Sequence, residues 1–181
     1  VEHRRVVDAV RDVAGVAVEH DRRPARALAR NPPRLQPLAV GLQVARAERG
    51  IGQAQAAGRA LAGLGMRPGL ICTSELSLAR ETGNEIIKYF HGAELISSEY
   101  LSPDSDQRQI VRSLQSWEQE TILLVGHEPH LSGLISLLAT GSRSGRFVLS
   151  KGAIAVIDFE VGLSYGSGNL RMLLQSGDLR L

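Results

Sequence analysis

The sequence predicts a three-layer α/β/α domain with a mostly parallel central sheet and an antiparallel C-terminal edge. Three observations predict it. From Gly50 onward, short apolar runs alternate with stretches of helical periodicity, the pattern of repeated βα units. One of these runs, Thr121–Gly126 (TILLVG), is apolar and β-branched almost throughout, as in a strand covered on both faces. The last two apolar runs are separated only by a glycine-bearing segment, Gly162–Gly168, which makes a hairpin and so an antiparallel edge.

Each element follows from its own signals. Gly50 to Leu64 reads as a helix with Ile51, Ala54, Gly58, Leu61 and Ala62 on one face, closed by Gly65 and Pro68. Gly69 to Ser74 (GLICTS) is a short buried strand. Leu76 to Phe90 is a second helix with Ile86, Ile87 and Phe90 among its apolar positions, ended by Gly92. A third helix starts with Ser102 as N-cap and Pro103 in the first turn, and turns Ile110, Val111, Leu114 and Trp117 to the core. The Thr121 strand ends at Gly126-His127, and Pro129 stops it. A helix with Leu131, Leu134, Ile135 and Leu138 at helical spacing follows, with Gly141 as its C-cap. Ala153 to Glu160 (AIAVIDFE) and Leu170 to Gln175 are the closing strands. No internal repeat is visible.

The first 49 residues differ in kind. They hold ten Arg, no Lys and six acidic residues, a net of +4, and four of the seven prolines, with no Phe, Tyr or Trp. Residues 50–181 hold eleven basic and thirteen acidic residues, a net of −2. The domain is therefore placed at 50–181, and 1–49 is read as an atypical Arg/Ala/Pro-rich segment, either disordered or the product of GC-rich DNA read in the wrong frame. Arg22 to Pro37 reads as loop, and the best candidate for a first strand is Val13–Val18.

Composition excludes several classes. A formal net charge of +2, with no basic stripe interleaved with aromatics, argues against a nucleic-acid partner. No apolar run approaches the roughly 20 residues of a membrane helix. The single cysteine, Cys72, cannot form an internal disulfide and sits in an apolar strand. The N-terminus has no apolar signal core. A cytoplasmic protein without a membrane partner is expected.

His127 is the first candidate site residue, because open α/β sheets hold ligands outside the carboxyl ends of their strands. The alternative is a polar residue in a strand-to-helix turn. His127 and His130 are three apart, but Glu128 between them does not make an H-E-x-x-H motif, and Pro129 breaks the helix turn such a site needs. No metal site is expected. His130 reads as a first-turn residue near the pocket mouth, and Ser132 as a cap.

From Gly50 to the C-terminus the chain resembles the histidine phosphatase superfamily, specifically the small SixA-type phosphohistidine phosphatases. The resemblance rests on Gly50–Pro68, Ile71–Thr82 (ICTSELSLARET), Leu123–Ser142 (LLVGHEPHLSGLISLLATGS), Ser150–Glu160 and the closing LRMLLQ. It implies the α/β/α fold, a phosphorylated protein bearing phosphohistidine as partner and substrate, and no metal or cofactor. In that family a histidine of an Arg-His-Gly motif, at the end of the first strand, attacks phosphorus, and water hydrolyses the resulting phosphohistidine. Two arginines and a second histidine hold the phosphoryl oxygens. His127 corresponds to the second histidine.

Two departures bear on activity. No Arg-His pair occurs in this chain. The nearest imitation, Val16–Asp21 (VAVEHD), puts His20 where the nucleophile would stand and Glu19 where an arginine would bind phosphate, and a carboxylate there repels the anion. The alternative for His20 is a solvated surface histidine. The Ser-Pro-x-x-Arg-Ala motif after the second strand reads Ser74 to Ala79, with Leu78 in the arginine position. Arg80, two residues on, lies about 200° around a helix. It binds phosphate if the helix start is irregular and is a surface residue otherwise. The resemblance therefore implies either a phosphohistidine phosphatase or a phosphate-binding module without turnover.

Overall fold

Strands covered on both faces are apolar almost throughout, and among the described residues three strands are buried at every position. They are Leu70–Thr73 (LICT), Ile122–Gly126 (ILLVG) and Ile154–Phe159 (IAVIDF). The structure, a computed structural model, describes residues 36–43, 47–145 and 147–179, with side chains from residue 50 onward. The elements in chain order are β1 (Gln36–Gln43), α1 (Ala47–Gly63), β2 (Leu70–Thr73), α2 (Ser77–Ile86), β3 (Glu94–Ser97), α3 (Gln107–Ser116), β4 (Ile122–Gly126), α4 (His130–Thr140), β5 (Ile154–Phe159) and β6 (Gly168–Leu174). Two 3-10 turns, Ile87–Tyr89 and Glu99–Leu101, flank β3.

The six strands form one sheet in the order β3-β2-β4-β1-β5-β6. The first four are mutually parallel, and β5 and β6 run antiparallel to their neighbours. Period-two alternation divides the core. Leu70, Cys72, Ile122 and Leu124 pack with α3 and α4 on one face, while Ile71, Leu123 and Val125 pack with α1 and α2 on the other. The result is the expected three layers with an antiparallel edge. Among the described residues no helix is long and apolar enough to cross a membrane.

Several expectations need correction. The first strand of the sheet is β1, which pairs parallel with β4 (Gln43 opposite Gly126) and antiparallel with β5 (Gln36 opposite Phe159). Gln36 and Pro37, read as loop, open this strand. Val13–Val18 and His20 lie outside the described residues. The boundary placed at Gly50 falls inside α1, and the sheet takes β1, Gln36–Gln43, from ahead of it. The strand β3 carried no sequence signal: it is four residues long and half-exposed. The third helix begins later than expected. Ser102 ends a 3-10 turn, and the N-cap of α3 is Asp106, whose Oδ1 accepts the Arg108 N–H at 3.1 Å. Trp117 terminates α3 and packs half-buried against the core. The second helix stops at Ile86 and tightens into the 3-10 turn instead of running to Phe90.

Other boundaries agree with the sequence. Gly141 caps α4 at φ +75°, a conformation that suits glycine. The β5–β6 hairpin forms as expected. The burial of Cys72 pushes its thiol up to about 12, so it stays protonated and inert.

Candidate active site

The carboxyl ends of β1, β2 and β4 lie side by side, and the residues that follow them build the candidate site. Gly126 closes β4 in close quarters: a Cβ there would stand 3.3 Å from Leu131 Cδ2 and 3.5 Å from the Leu101 carbonyl. A larger residue at this position would have to push the Leu131 side chain aside by a few tenths of an ångström. His127 comes next, beyond the last residue pair of β4 and β1, and its carbonyl accepts the Leu131 N–H at 3.1 Å.

The His127 ring is half-buried. Its Nδ1 is enclosed without a hydrogen-bond partner, and its Nε2 is left as the accessible nitrogen. Burial lowers its pKa, because the charged imidazolium loses hydration there. A neutral ring that keeps its enclosed nitrogen bare points Nε2–H outward as a donor. A phosphoryl oxygen accepting from Nε2 would reverse the burial penalty and favour the protonated form.

Helix α4 does not offer its own N-terminus to an anion. Glu128 Oε1 accepts the Ser132 N–H at 3.1 Å, and Ser132 Oγ donates to the Pro129 carbonyl at 3.0 Å. Glu128, not Ser132, therefore supplies the side-chain cap. His130 also departs from expectation. It sits in the first turn of α4 but is 0% exposed, enclosed in the core. Its Nε2 lies 3.2 Å from Ser105 Oγ, and its Nδ1 has no partner. Ser105 Oγ is also 2.8 Å from the Tyr100 carbonyl and 2.7 Å from the Ser102 carbonyl. A hydroxyl has one proton to give, so Ser105 donates it to a carbonyl and accepts from His130 Nε2–H. Burial lowers the His130 pKa to about 4, against an opposing pull from the Asp106 carboxylate.

The other expected residues are placed as follows. Leu78, in the arginine position, is partly buried against the core on the α1/α2 face. Arg80 is exposed in the first turns of α2, turned away from Leu78 as helical geometry requires. Among the described residues no group of three His, Cys, Asp or Glu side chains could hold a metal.

Two polar residues at the same rim escaped the sequence reading. Ser74, at the end of β2, is 0% exposed, and its Oγ has no partner while its N–H bonds the Val125 carbonyl at 2.9 Å. Gln53, on α1, has an enclosed Oε1 without a partner and packs against Gly152 just before β5. The only advance signal was the serine of the family motif; nothing in the sequence marks Gln53. A cleft of 470 Å³ lined by Arg67, Tyr89 and His91 opens at the amino end of β2, the opposite end of the sheet from His127.

Comparison with solved structures matches this architecture across most of the chain. The protein histidine phosphatase SixA in complex with tungstate superposes with a TM-score of 0.65 at 18% identity, over 80% of this chain and 99% of that one. The chain has the histidine phosphatase fold. The same fold links it to α-ribazole phosphatase from Shigella flexneri (TM-score 0.59, 19% identity, 77% of this chain and 96% of that one). Phosphoglycerate mutase from Plasmodium falciparum also shares it (TM-score 0.59, 19% identity, 78% and 92%). No protein-family model matches the sequence, and no curated protein matches it. Within the histidine phosphatase fold, β1 is the strand whose carboxyl end adjoins His127. In this chain that strand ends at Gln43, where the resemblance would put Arg-His-Gly.

Proposed function

We propose that this chain binds a phosphoryl group at the rim around His127 and acts as a SixA-type phosphohistidine phosphatase on a phosphorylated protein. One observation carries the reading. A half-buried imidazole stands at the end of β4 with one nitrogen enclosed and the other open, in a fold shared with a protein histidine phosphatase that holds tungstate. The covalent step falls to His20 in this reading. Of the five histidines, His91 is exposed at the far end of the sheet, His130 is enclosed, and His127 holds the phosphoryl oxygen. Of the remaining two, His20 is the one whose sequence context (VAVEHD) imitates the nucleophile motif, and it lies outside the described residues. Its nitrogen would bond to phosphorus as the substrate imidazole leaves with a proton, and water would then release phosphate and restore the ring. The inert, buried Cys72 thiol suits a reducing, cytoplasmic setting.

A second reading has an observation of its own. With Leu78 in the arginine position and no Arg-His pair in the sequence, the site would hold a phosphoryl group without turning it over. Assaying a phosphohistidine protein with wild type, His127→Ala and His20→Ala separates the two, alongside calorimetric titration with tungstate. Turnover that falls on the order of a hundredfold or more in both variants supports the enzyme. Tungstate binding that His127→Ala removes, with no turnover by wild type, supports the binding module. A folded chain that neither binds nor turns over rejects both.

A further inference from the structure

We infer that Lys151 is the phosphoryl-binding cation of this site, taking over the charge that Leu78 fails to supply. The inference rests on the reading of the His127 rim as a phosphoryl site, and goes on to assign its charge. A phosphoryl dianion there meets one imidazole, which supplies a single positive charge at most, and two carboxylates, Glu128 on the α4 N–H and Glu75 exposed before α2. That single charge does not balance the dianion, and the carboxylates repel it.

Among the cations whose side chains are described, few are free at this end of the sheet. Arg108 and Arg143 both pair with Asp106, at 3.8 and 3.7 Å. Arg80 is exposed on α2, about 200° around the helix from Leu78. Lys151 is exposed and, among the described residues, engaged by no carboxylate.

Its position is built and held. Ser150, Lys151, Gly152 and Ala153 form a turn closed by the Ala153 N–H on the Ser150 carbonyl at 2.9 Å, with Gly152 at φ +80°. Positive φ at the third residue defines a type II turn, and Lys151 occupies its outer corner. A Cβ on Gly152 would stand 3.3 Å from both Gln53 Cδ and Ser176 Cβ, so α1 and the segment after β6 clamp the turn from below. Gln175 ties it from the side: its Oε1 accepts the Ser150 N–H at 2.8 Å, and its Nε2 donates to the Val148 carbonyl at 2.8 Å. So many fixtures on a surface turn hold one exposed corner in place.

That corner faces the right end of the sheet. Val40 of β1 pairs with Ala155 of β5, so residues 150–153 lie beyond it, toward Gln43. Gln43 in turn pairs with Gly126, the residue before His127. The turn and His127 thus flank the end of β1, two strand spacings or about 10 Å apart. A tetrahedral oxyanion with one charge-assisted hydrogen bond of about 2.8 Å on either side, together with the four-carbon lysine stem, spans that gap.

Calorimetric titration with tungstate of the full chain and its variants tests the assignment. Lys151→Ala is expected to weaken binding on the order of tenfold or more. Lys151→Arg should restore affinity to within about threefold, since it keeps the charge and the donors. The same Lys151→Ala variant should unfold at the wild-type temperature, because the side chain is exposed. Tungstate binding that His127→Ala abolishes but Lys151→Ala leaves unchanged overturns the inference and leaves the phosphoryl site standing. So does a Lys151→Arg variant as weak as Lys151→Ala. Absence of tungstate binding by wild type overturns the underlying reading and the inference with it.

Discussion

Acidification from pH 7 to pH 4 is expected to cost this protein about 3 kcal/mol through His130 alone, whose burial holds it down from an ordinary 6.5 to about 4. The sign follows from where the proton is welcome. In the folded chain the imidazole is enclosed, with Nε2–H given to Ser105 and a bare Nδ1, so a second proton has no acceptor there. In the unfolded chain it titrates near 6.5. Between about 6.5 and about 4 the unfolded state therefore binds the extra proton, and stability falls as pH falls through that window. Above 6.5 the contribution is intact. His127 acts in the same direction, since burial lowers it too. The depressed Asp106 carboxylate, an acceptor for the Arg108 N–H, adds a further loss in acid. The His130 share is isolated by comparing urea midpoints of wild type and His130→Leu at pH 7, 6, 5 and 4. The variant should lose markedly less between pH 6.5 and pH 4. Parallel losses in the two proteins would mean that the ring is not held neutral by enclosure.

Leu78→Arg is expected to raise affinity for tungstate by on the order of 10- to 100-fold, the worth of a charge-assisted hydrogen bond of about 1.5–3 kcal/mol. Leu78 is only partly buried, in the first turn of α2 directly after the β2 rim. An arginine stem can follow the same apolar surface while its guanidinium reaches the rim. The stability cost should be about 1 kcal/mol from the lost apolar contact. Thermal unfolding and tungstate titration on the same variant measure both quantities. Unchanged affinity in a folded Leu78→Arg protein would show that α2 does not aim this position at the anion.

What could be read in advance, and what could not, follows from where each signal resides. The β4 run, the α4 stripe ending at Gly141 and the closing hairpin declare themselves because local periodicity and burial coincide. Strand β1 does not. It carries Pro37 near its start and Gly41 within it, both of which read as breakers. The register with β4 shifts between Val40 and Leu42, so Gly41 marks a bulge and not an end. Asp106 does not stand out as a cap because Ser102-Pro103, a few residues earlier, offers a more conventional start. His127 was legible from its place after a buried strand. The enclosure of His130 was not, since one helical turn separates a pocket mouth from a core and the sequence does not fix the phase. Ser74, Gln53 and Lys151 converge only through the sheet order, which no local pattern contains.

The place of β1 in that order has a consequence for any shortened form of this protein. It is an interior strand, bonded to β4 on one side and β5 on the other, yet it precedes the segment whose composition looks most like an ordinary domain. A chain begun at Gly50 would contain every obvious feature and still leave an open slot through the middle of its sheet, bordered by two rows of bare amide and carbonyl groups. Such borders recruit whatever extended peptide is at hand, and the commonest supply is a neighbouring copy. Trimming on apparent domain composition would therefore yield self-associating material. A cut ahead of Gln36 keeps the slot filled.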